Sequence, residues 1–303
     1  MAKLSGFATM RSVLLVGLTI VASAVALVNP SLGYHEAVGI PQAARIKAFE
    51  EQYHASVKEG QNERIVGGAV ANTDAYPHLA GLIISLLNIA GNSVCGSSLL
   101  SANRLVTAAH CWFDGRNQAW QFTVVFGSHW LFFGGTRIST TQVVLHPQWN
   151  AATLANDVAV IYLPSNVGFT AAIQPIALPS TTQLWETFAG EWGVAAGYGM
   201  TSDQQTGVTT STVVSHVTLQ VITVAQCQAT FGFWALDSNI CTNGAGGVGI
   251  CGGDSGGPLT VVRNGQNILV GISSFVAAAG CQLGFPSAFA RVTSFYSFII
   301  QNL

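Results

Sequence analysis

Charged residues are scarce in this chain. They make up 8% of its 303 residues, against about 25% in an average soluble protein. Such a composition suits a membrane protein, but only one apolar run, Val13–Val28, approaches the roughly 20 residues of a spanning helix, and it lies at the N-terminus. The formal net charge is −2, and there is no polybasic run. The composition therefore predicts neither an integral membrane protein nor a nucleic-acid-binding protein.

Cysteine is absent before Cys95, and neither a C-x-x-C pair nor an H-x-x-x-H spacing occurs in the sequence. These absences argue against a zinc site. No N-x-S/T acceptor for N-glycosylation is present either. The cysteine count is even, which in an exported chain predicts disulfides without fixing their pairing. The six residues are Cys95, Cys111, Cys227, Cys241, Cys251 and Cys281.

The N-terminus has the layout of an export signal. Lys3 and Arg11 precede the apolar run, and Ala24-Val25-Ala26 offers the small residues of a cleavage site. An uncleaved signal anchor is the alternative, but the run is shorter than a membrane span. We expect residues 1–26 to be a signal peptide, the protein to be secreted and extracellular, and no membrane association after signal removal.

The remaining chain changes character once. Residues 27–64 hold five acids, four bases and no cysteine, and the pattern predicts a helix over 42–58. From Ile65 onward, short runs rich in Val, Ile, Thr and Phe alternate with Gly, Asn, Ser and Pro, which indicates an all-β fold. The two prolines of Ile173–Ser180 favour a connection between two halves, and the spacing of the last aromatic residues favours one short C-terminal helix.

Four glycines surround one serine in Cys251–Pro258, "CGGDSGGP". Earlier in the chain stand "RIVGG" from Arg64, "LVTAAHC" from Leu105 and "NDVAV" from Asn156. In this order the four motifs resemble those of the chymotrypsin-type serine proteases, over everything from Arg64 to about Leu303. The resemblance implies two packed antiparallel six-stranded Greek-key barrels with a short C-terminal helix. The first barrel would span 65–176, the second 177–303.

The chemistry of these motifs follows from their residue types. A serine hydroxyl is a weak nucleophile without an adjacent base, and histidine titrates nearest neutrality. The resemblance therefore implies Ser255 as nucleophile, His110 as general base and acid, and Asp157 as the carboxylate that orients the imidazole. It also implies that the backbone N–H groups of Gly253 and Ser255 form the oxyanion hole.

The resemblance further implies that the protein is made as a zymogen with residues 27–64 as activation propeptide. Cleavage after Arg64 would create a charged amino group on Ile65, which pairs in this family with the aspartate beside the nucleophile, here Asp254. With no cysteine to tether it, we expect the propeptide to be released on activation. The disulfides implied are Cys95–Cys111, Cys227–Cys241 and Cys251–Cys281.

By the same resemblance, the substrate pocket is formed by Gly249 at its floor and by Val276 and Ser287 on its walls. An uncharged floor argues against Lys or Arg before the cleaved bond, and Val276 narrows the entrance. We expect small to medium apolar residues there, as in elastase-like members, with a chymotrypsin-like preference for Phe, Tyr or Leu as the alternative. The backbone of Ser274, Phe275 and Val276 would pair with an extended substrate.

Because Arg64 does not fit this pocket, a trypsin-like partner is expected to activate the zymogen. The other expected partners are protein or peptide substrates and protein protease inhibitors, and we expect a monomer. No cofactor is expected, and calcium is disfavoured because no acid stands between Asp114 and Asp157. The leading hypothesis is a digestive endopeptidase; a cascade protease with one regulatory substrate and a non-catalytic binding protein on the same scaffold are the alternatives.

Lysine is absent after Lys58, so arginine supplies every strongly basic side chain beyond it. Lysine loses its charge at about pH 10, whereas arginine stays charged beyond about pH 12. This absence favours an alkaline digestive lumen, such as some insect midguts have. Drift towards low charge, or removal of sites that neighbouring trypsins would cut, would produce the same composition.

Overall fold

A computed structural model describes residues 33–58, 74–203 and 214–303. The predicted signal peptide and the junction between Arg64 and Ile65 lie outside the described residues. Within the described ranges, the chain forms two antiparallel β-sheets and three α-helices. None of these helices is both long and apolar enough to cross a membrane.

The first sheet contains seven strands and carries the larger core. They are β1 (Leu79–Leu86), β2 (Asn92–Ser101), β3 (Arg104–Thr107), β4 (Ala119–Phe126), β5 (Thr136–Thr140), β6 (Gln142–Leu145) and β7 (Ala159–Tyr162). Their order across the sheet is β5-β4-β1-β2-β3-β7-β6. The interior of β2 is buried, because the strand lies between the sheet's own core on one face and neighbouring elements on the other.

The seventh strand arises because one run of the chain is divided into two strands. The two end strands, β5 and β6, are separated by Thr141 alone, so one run of chain reaches both edges of the sheet. At the break the Thr140 hydroxyl donates to Tyr162 O (2.6 Å) and accepts from Gln142 N (3.1 Å), which replaces regular strand pairing with a bend. The expected fold class is confirmed, and the first barrel-like sheet counts seven strands rather than six because this run of chain is divided in two.

The second sheet is a closed barrel of six strands, as predicted. They are β8 (Trp192–Gly197), β9 (Ser215–Ile222), β10 (Asn239–Thr242), β11 (Pro258–Arg263), β12 (Gln266–Phe275) and β13 (Ser287–Arg291). Pairing of β9 with β10 closes the ring. A short helix, α2 (Val224–Phe231), lies between these two strands, and α3 (Tyr296–Gln301) ends the chain as the predicted C-terminal helix.

The connection between the sheets follows the proline-containing segment 173–180. Ile176 N donates to Leu99 O in the first sheet (2.9 Å), and Leu269 N in the second barrel donates to Ala177 O (2.9 Å). Consecutive residues of this segment are thus bonded to different sheets, which is where the chain crosses over.

The N-terminal segment, residues 33–58, is helical and packs on the rest of the protein. A π-helical turn, His35–Gly39, leads into α1 (Ile40–Lys58), which contains the predicted helix. Ala43, Ile46 and Phe49 recur at helical spacing and are all buried. Ala43 and Ile46 lie in a cluster with side chains of both sheets, and Phe49 packs near Trp130. This apolar face attaches the helix across the two sheets.

Candidate active site

The three predicted catalytic residues lie at the meeting of the two sheets. His110 lies in the 3₁₀ turn that follows β3, and Asp157 lies two residues before β7. Because β3 and β7 are paired neighbours, these two residues emerge side by side. Ser255 lies in the turn that precedes β11 of the second barrel.

His110 and Asp157 form a buried pair with two hydrogen bonds. His110 Nδ1 lies 2.8 Å from Asp157 Oδ2, and His110 N donates to Asp157 Oδ1 at 2.9 Å. The Ser274 hydroxyl adds a third donor, 2.6 Å from Oδ2. The imidazole is 1% exposed. Because an ionised Asp157 has only acceptor atoms, His110 carries its proton on Nδ1, and Nε2 is left as a lone-pair acceptor.

His110 Nε2 is buried and has no hydrogen-bond partner among the described residues. A buried polar atom without a partner costs free energy, and such atoms are rare away from functional sites. The unpaired atom is the one that would accept a proton from a nucleophile, and it makes no hydrogen bond with Ser255 Oγ in this structure.

The glycines around Ser255 permit contacts that side chains would block. A Cβ on Gly256, whose φ is +78°, would lie 2.1 Å from Thr107 Oγ1 in the first sheet. The Ser255 turn therefore approaches β2 closely, and Gly96 N donates to Ser255 O at 2.7 Å. Gly253 has a φ of +102°, a left-handed conformation that side chains rarely adopt.

Asp254 points away from the cleft into the protein. Its carboxylate accepts hydrogen bonds from Gly199 N (2.8 Å) and Cys251 N (3.0 Å). Burial nevertheless dominates and raises the pKa of Asp254 to about 6. A neighbouring cavity of about 170 Å³ is lined by Asp254, small residues of β8 and the 247–251 backbone. No salt bridge to Asp254 occurs among the described residues.

The six cysteines form the three disulfides that the resemblance implies: Cys95–Cys111, Cys227–Cys241 and Cys251–Cys281. The first joins β2 to the residue after His110, and the third joins the start of the Ser255 turn to the chain beyond Val276. Two groups in the described residues bring three metal-ligand atoms together, but each includes a disulfide pair. Disulfide sulfurs are not thiolates, so neither group offers a conventional metal site.

The predicted pocket residues are only partly brought together. A cavity of about 260 Å³ opens beside Ser255, and Val276 lines it together with Ser274 and Phe275. Gly249 and Ser287 are absent from its lining and lie against each other, since a Cβ on Gly249 would meet Ser287 Oγ at 2.6 Å. That hydroxyl accepts from Ile250 N (3.2 Å), which holds it over the glycine.

Ile250, which no sequence motif singled out, is a lining residue of this cavity. Its side chain is buried, and the residue lines the cavity beside Ser255. The sequence shows a bulky β-branched residue directly after the predicted floor glycine. The direction in which its side chain points depends on the backbone, so the sequence alone did not reveal that it lines the cavity.

The N-terminal segment occupies the cleft, which the sequence reasoning did not foresee. The Tyr34 ring packs edge-on against His110, with ring centroids 4.7 Å apart. Its hydroxyl donates to Val94 O (2.9 Å) and lies near the Ser255 side chain and the Gly253 backbone. Burial raises the pKa of this phenol, so Tyr34 is neutral and remains a hydrogen-bond donor. Ala37 and Val38 line the same cavity.

A closed β-barrel and a barrel-like sheet that together present a buried histidine–aspartate pair beside a serine in a glycine-rich turn define the chymotrypsin-type class of serine proteases. Residues 65–299 match the trypsin family, and the chain belongs to that family. It is accordingly a serine endopeptidase whose substrates are proteins. The match begins at Ile65, directly after Arg64.

The curated relatives agree with this assignment. Brachyurin of Leptuca pugilator is 40% identical over 238 residues, which cover 78% of this chain and 96% of that protein. A protein named collagenase, of Hypoderma lineatum, is 36% identical over 253 residues, 83% of this chain and 92% of that one. The solved structure of HL collagenase covers 78% of this chain and 98% of its own, with a TM-score of 0.69 and 34% identity.

Proposed function

We propose that this protein is a secreted zymogen whose mature form cleaves peptide bonds through an acyl-enzyme intermediate. Ser255 Oγ attacks the scissile carbonyl carbon while its proton passes to His110 Nε2. The same nitrogen then protonates the leaving amine, and water hydrolyses the acyl-enzyme by the reverse sequence. The single observation that carries this proposal is the 2.8 Å contact between His110 Nδ1 and Asp157 Oδ2, from which we infer that Nδ1 holds the proton and Nε2 is ready to accept one.

The backbone N–H groups of Gly253 and Ser255 are proposed to hold the oxyanion that forms during attack. Preorganised donors of this kind are worth about 100- to 1000-fold in rate. The position of the Tyr34 hydroxyl near Gly253 supports the assignment, because a polar oxygen already lies beside that backbone.

Activation is proposed to follow cleavage after Arg64. A buried carboxylate without a cation is costly, and within the described part of the chain two backbone donors offset the burial of Asp254. The cavity beside it is lined by Asp254 and by small residues of β8, so it could receive an apolar side chain and one charged amino group. The new terminus of Ile65 fits both requirements, and its arrival would stabilise the turn that carries Gly253 and Ser255.

Specificity is proposed to favour small or medium apolar residues before the cleaved bond. Val276 and Ile250 line the cavity beside Ser255, and neither carries charge. Ser287 contributes a neutral hydroxyl beside Gly249. Asp203 also lines the cavity, but both oxygens of its carboxylate already accept hydrogen bonds, from Cys281 N and Gln282 N. An elastase-like preference for Ala, Val or Leu follows, and the alternative preference for Phe, Tyr or Leu requires a deeper pocket.

The physiological setting is also proposed. The N-terminal signal supports secretion, the lack of lysine after Lys58 supports an alkaline gut lumen, and the short cysteine-free propeptide supports digestion rather than a cascade. A trypsin-like enzyme would supply the cut after Arg64. We propose that the mature protein acts as a monomer and is open to protein inhibitors that bind the cleft.

Cleavage of a peptide library by the activated protein tests these assignments together. The residue before each cut should be small or medium and apolar, and Ser255→Ala should fold, keep its disulfides and lose the activity. Native collagen belongs in the panel, because a relative carries the name collagenase. Cuts after Lys or Arg would overturn the specificity, and activity of Ser255→Ala within tenfold of the parent would overturn the mechanism.

A further inference from the structure

We propose that residues 33–58 are a reversible inhibitor of the mature enzyme, which binds at two separate places: the catalytic residues, through Tyr34, and the 128–133 loop, through Glu50. The proposal rests on the proposed function, because it concerns the fate of this segment once the bond after Arg64 is cut. It implies that cleavage alone does not open the active site.

The first place is the cleft. Tyr34 covers His110, and neighbouring contacts fix the turn that carries it: His35 N donates to Asp114 Oδ2 (3.0 Å), and His35 Nδ1 lies 2.8 Å from Ser93 Oγ. A Cβ on Gly39 would lie 1.8 Å from Ser93 Oγ, so the turn fits closely against β2. His35 is fully buried.

The segment blocks the cleft without presenting a cleavable bond. A substrate of this fold pairs as an added strand, which requires an extended backbone. The backbone of His35–Gly39 is helical, and Ala37 N donates back to Gly33 O (2.9 Å). Because its backbone groups are paired within the helix, the segment fills the cleft as an inhibitor would.

The second place is a turn that offers two backbone donors side by side. Glu50 Oε1 accepts from Leu131 N (2.6 Å), and Oε2 accepts from Phe132 N (2.7 Å). Glu50 is fully buried. A buried carboxylate is tolerated only where hydrogen bonds satisfy it. This pair of N–H groups therefore acts as a recognition site for a carboxylate on a helix.

The loop keeps its shape through contacts that do not involve the segment. Ser128 Oγ donates to Phe133 O (3.0 Å) and accepts from Trp130 N (3.0 Å), and Tyr198 OH donates to Ser128 O (2.7 Å). Arg137 Nη2 donates to Leu131 O (2.7 Å). Among the described residues the two donors are thus positioned by the body of the protein and offered to the helix.

Apolar contacts join the two places into one interface. Phe49 and Tyr53 stack near Trp130, with centroids 6.0 and 4.8 Å from its ring. Ile46 is fully buried between the sheets. Polar contacts hold each end of the segment, and burial of apolar surface holds its middle. Because these contacts are non-covalent, we expect the segment to stay bound to the mature enzyme after the covalent link through residues 59–64 is cut.

The test uses the full chain with residues 60–64 replaced by the enteropeptidase sequence Asp-Asp-Asp-Asp-Lys, since trypsin could also cut the segment after Arg45, Lys47 or Lys58. After complete cleavage, the proposal predicts that the N-terminal fragment co-elutes with the body at micromolar concentration. Hydrolysis of a small neutral substrate should stay low and rise at least tenfold on dilution. Trypsin cleavage, which destroys the segment, should release the activity at once.

Variants separate recognition from folding. At pH 8, above the pKa of about 7 that burial gives Glu50, Glu50→Gln should weaken retention by about tenfold to a hundredfold, the range for a hydrogen bond to a charged group. Tyr34→Ala should also weaken it. Glu51→Gln, on the exposed side of the same helix, is the matched control and should change nothing. If Glu50→Gln does not fold as a full chain, synthetic peptides 33–58 of each sequence are added to the freed enzyme instead.

The outcomes are distinct. Full activity upon enteropeptidase cleavage, without co-elution, would overturn the inhibitor proposal and leave the protease assignment intact. Equal retention of the Glu50→Gln and Glu51→Gln fragments would overturn the role of the loop. A body that stays inactive after the segment is removed would instead contradict the proposed function, while co-elution would still report binding.

Discussion

The Ser274 hydroxyl donates a 2.6 Å hydrogen bond to Asp157 Oδ2, and so ties the second barrel to the histidine–aspartate pair of the first. The same oxygen faces His110 Nδ1 at 2.8 Å. Ser274 thus positions the pair, whereas its backbone is proposed to pair with substrate.

Ser274→Ala should lower kcat by about tenfold to a hundredfold with little change in KM, because a hydrogen bond to a charged group is lost. Asp157 would become a stronger acceptor for His110, so the acid limb of the kcat/KM profile should move to higher pH. Ser97→Ala, which loses a buried serine hydrogen bond to Ala80 O, is the control for stability. An unchanged pH profile in Ser274→Ala would contradict the positioning role.

The width of the cleft should depend on Val276. Val276→Ala should raise kcat/KM for Phe relative to Ala before the cleaved bond by about tenfold, since each methylene in an apolar pocket is worth about 1–3 kcal/mol. Val262→Ala, at an exposed position of β11, serves as control. If the preference for small residues persists in Val276→Ala, the residue does not set the entrance.

The intact zymogen should not activate itself, because the proposed pocket floor is uncharged and the carboxylate of Asp203, which lines the cavity, is already hydrogen-bonded to two backbone N–H groups. N-terminal sequencing of pure protein over days should show no Ile-Val-Gly-Gly terminus, whereas added trypsin should produce it promptly. Spontaneous appearance of that terminus would refute the assignment of an uncharged, apolar pocket.

Binding of the 33–58 segment should depend on pH through two groups with opposite signs. Glu50 faces Arg137 and Tyr198, and burial raises its pKa to about 7. Glu50 therefore favours binding most below its ordinary pKa of 4.5, and this contribution to binding is lost as the pH rises to 7. Burial lowers the pKa of His35, which faces Asp114 and His110, to about 4, so binding is weakened as pH falls below 6.5.

In the parent protein these two contributions largely offset one another between about pH 4.5 and 6.5. The Glu50→Gln segment should bind more tightly as pH rises from 4 to 6.5, and the His35→Gln segment more weakly as pH rises from 4.5 to 7. Calorimetry against the Ser255→Ala body measures this without turnover, and any contribution from His110 is common to both variants. Identical profiles for the two variants would contradict the assignment.

Much of the fold and of the site was predictable from the sequence, because the relevant signals are local. The motifs around His110, Asp157 and Ser255 predicted a site that the structure assembles at the meeting of two β-sheets. The alternation of short apolar runs predicted the all-β class. The division at Thr141 was not predictable, since it depends on which strands the two halves of one run pair with.

The binding of the N-terminal segment in the cleft was not predictable either, because it also depends on contacts between residues that are distant in sequence. Ala43, Ile46 and Phe49 follow helical spacing, but nothing local to the segment indicates the surface on which they pack. Tyr34 and Glu50 acquire their significance only from partners that are distant in sequence. The expected release of the propeptide on activation stays a prediction, and the proposed inhibitor makes it conditional on dissociation.

The central claim is that Ser255 is a nucleophile that the N-terminal segment covers until it leaves. A fluorophosphonate reagent, followed by peptide mapping, tests this most directly. The account predicts stoichiometric labelling of Ser255 after removal of residues 33–58, little labelling of the intact chain, and none of Ser255→Ala. Absence of labelling after removal of the segment, or labelling of another residue, would contradict it.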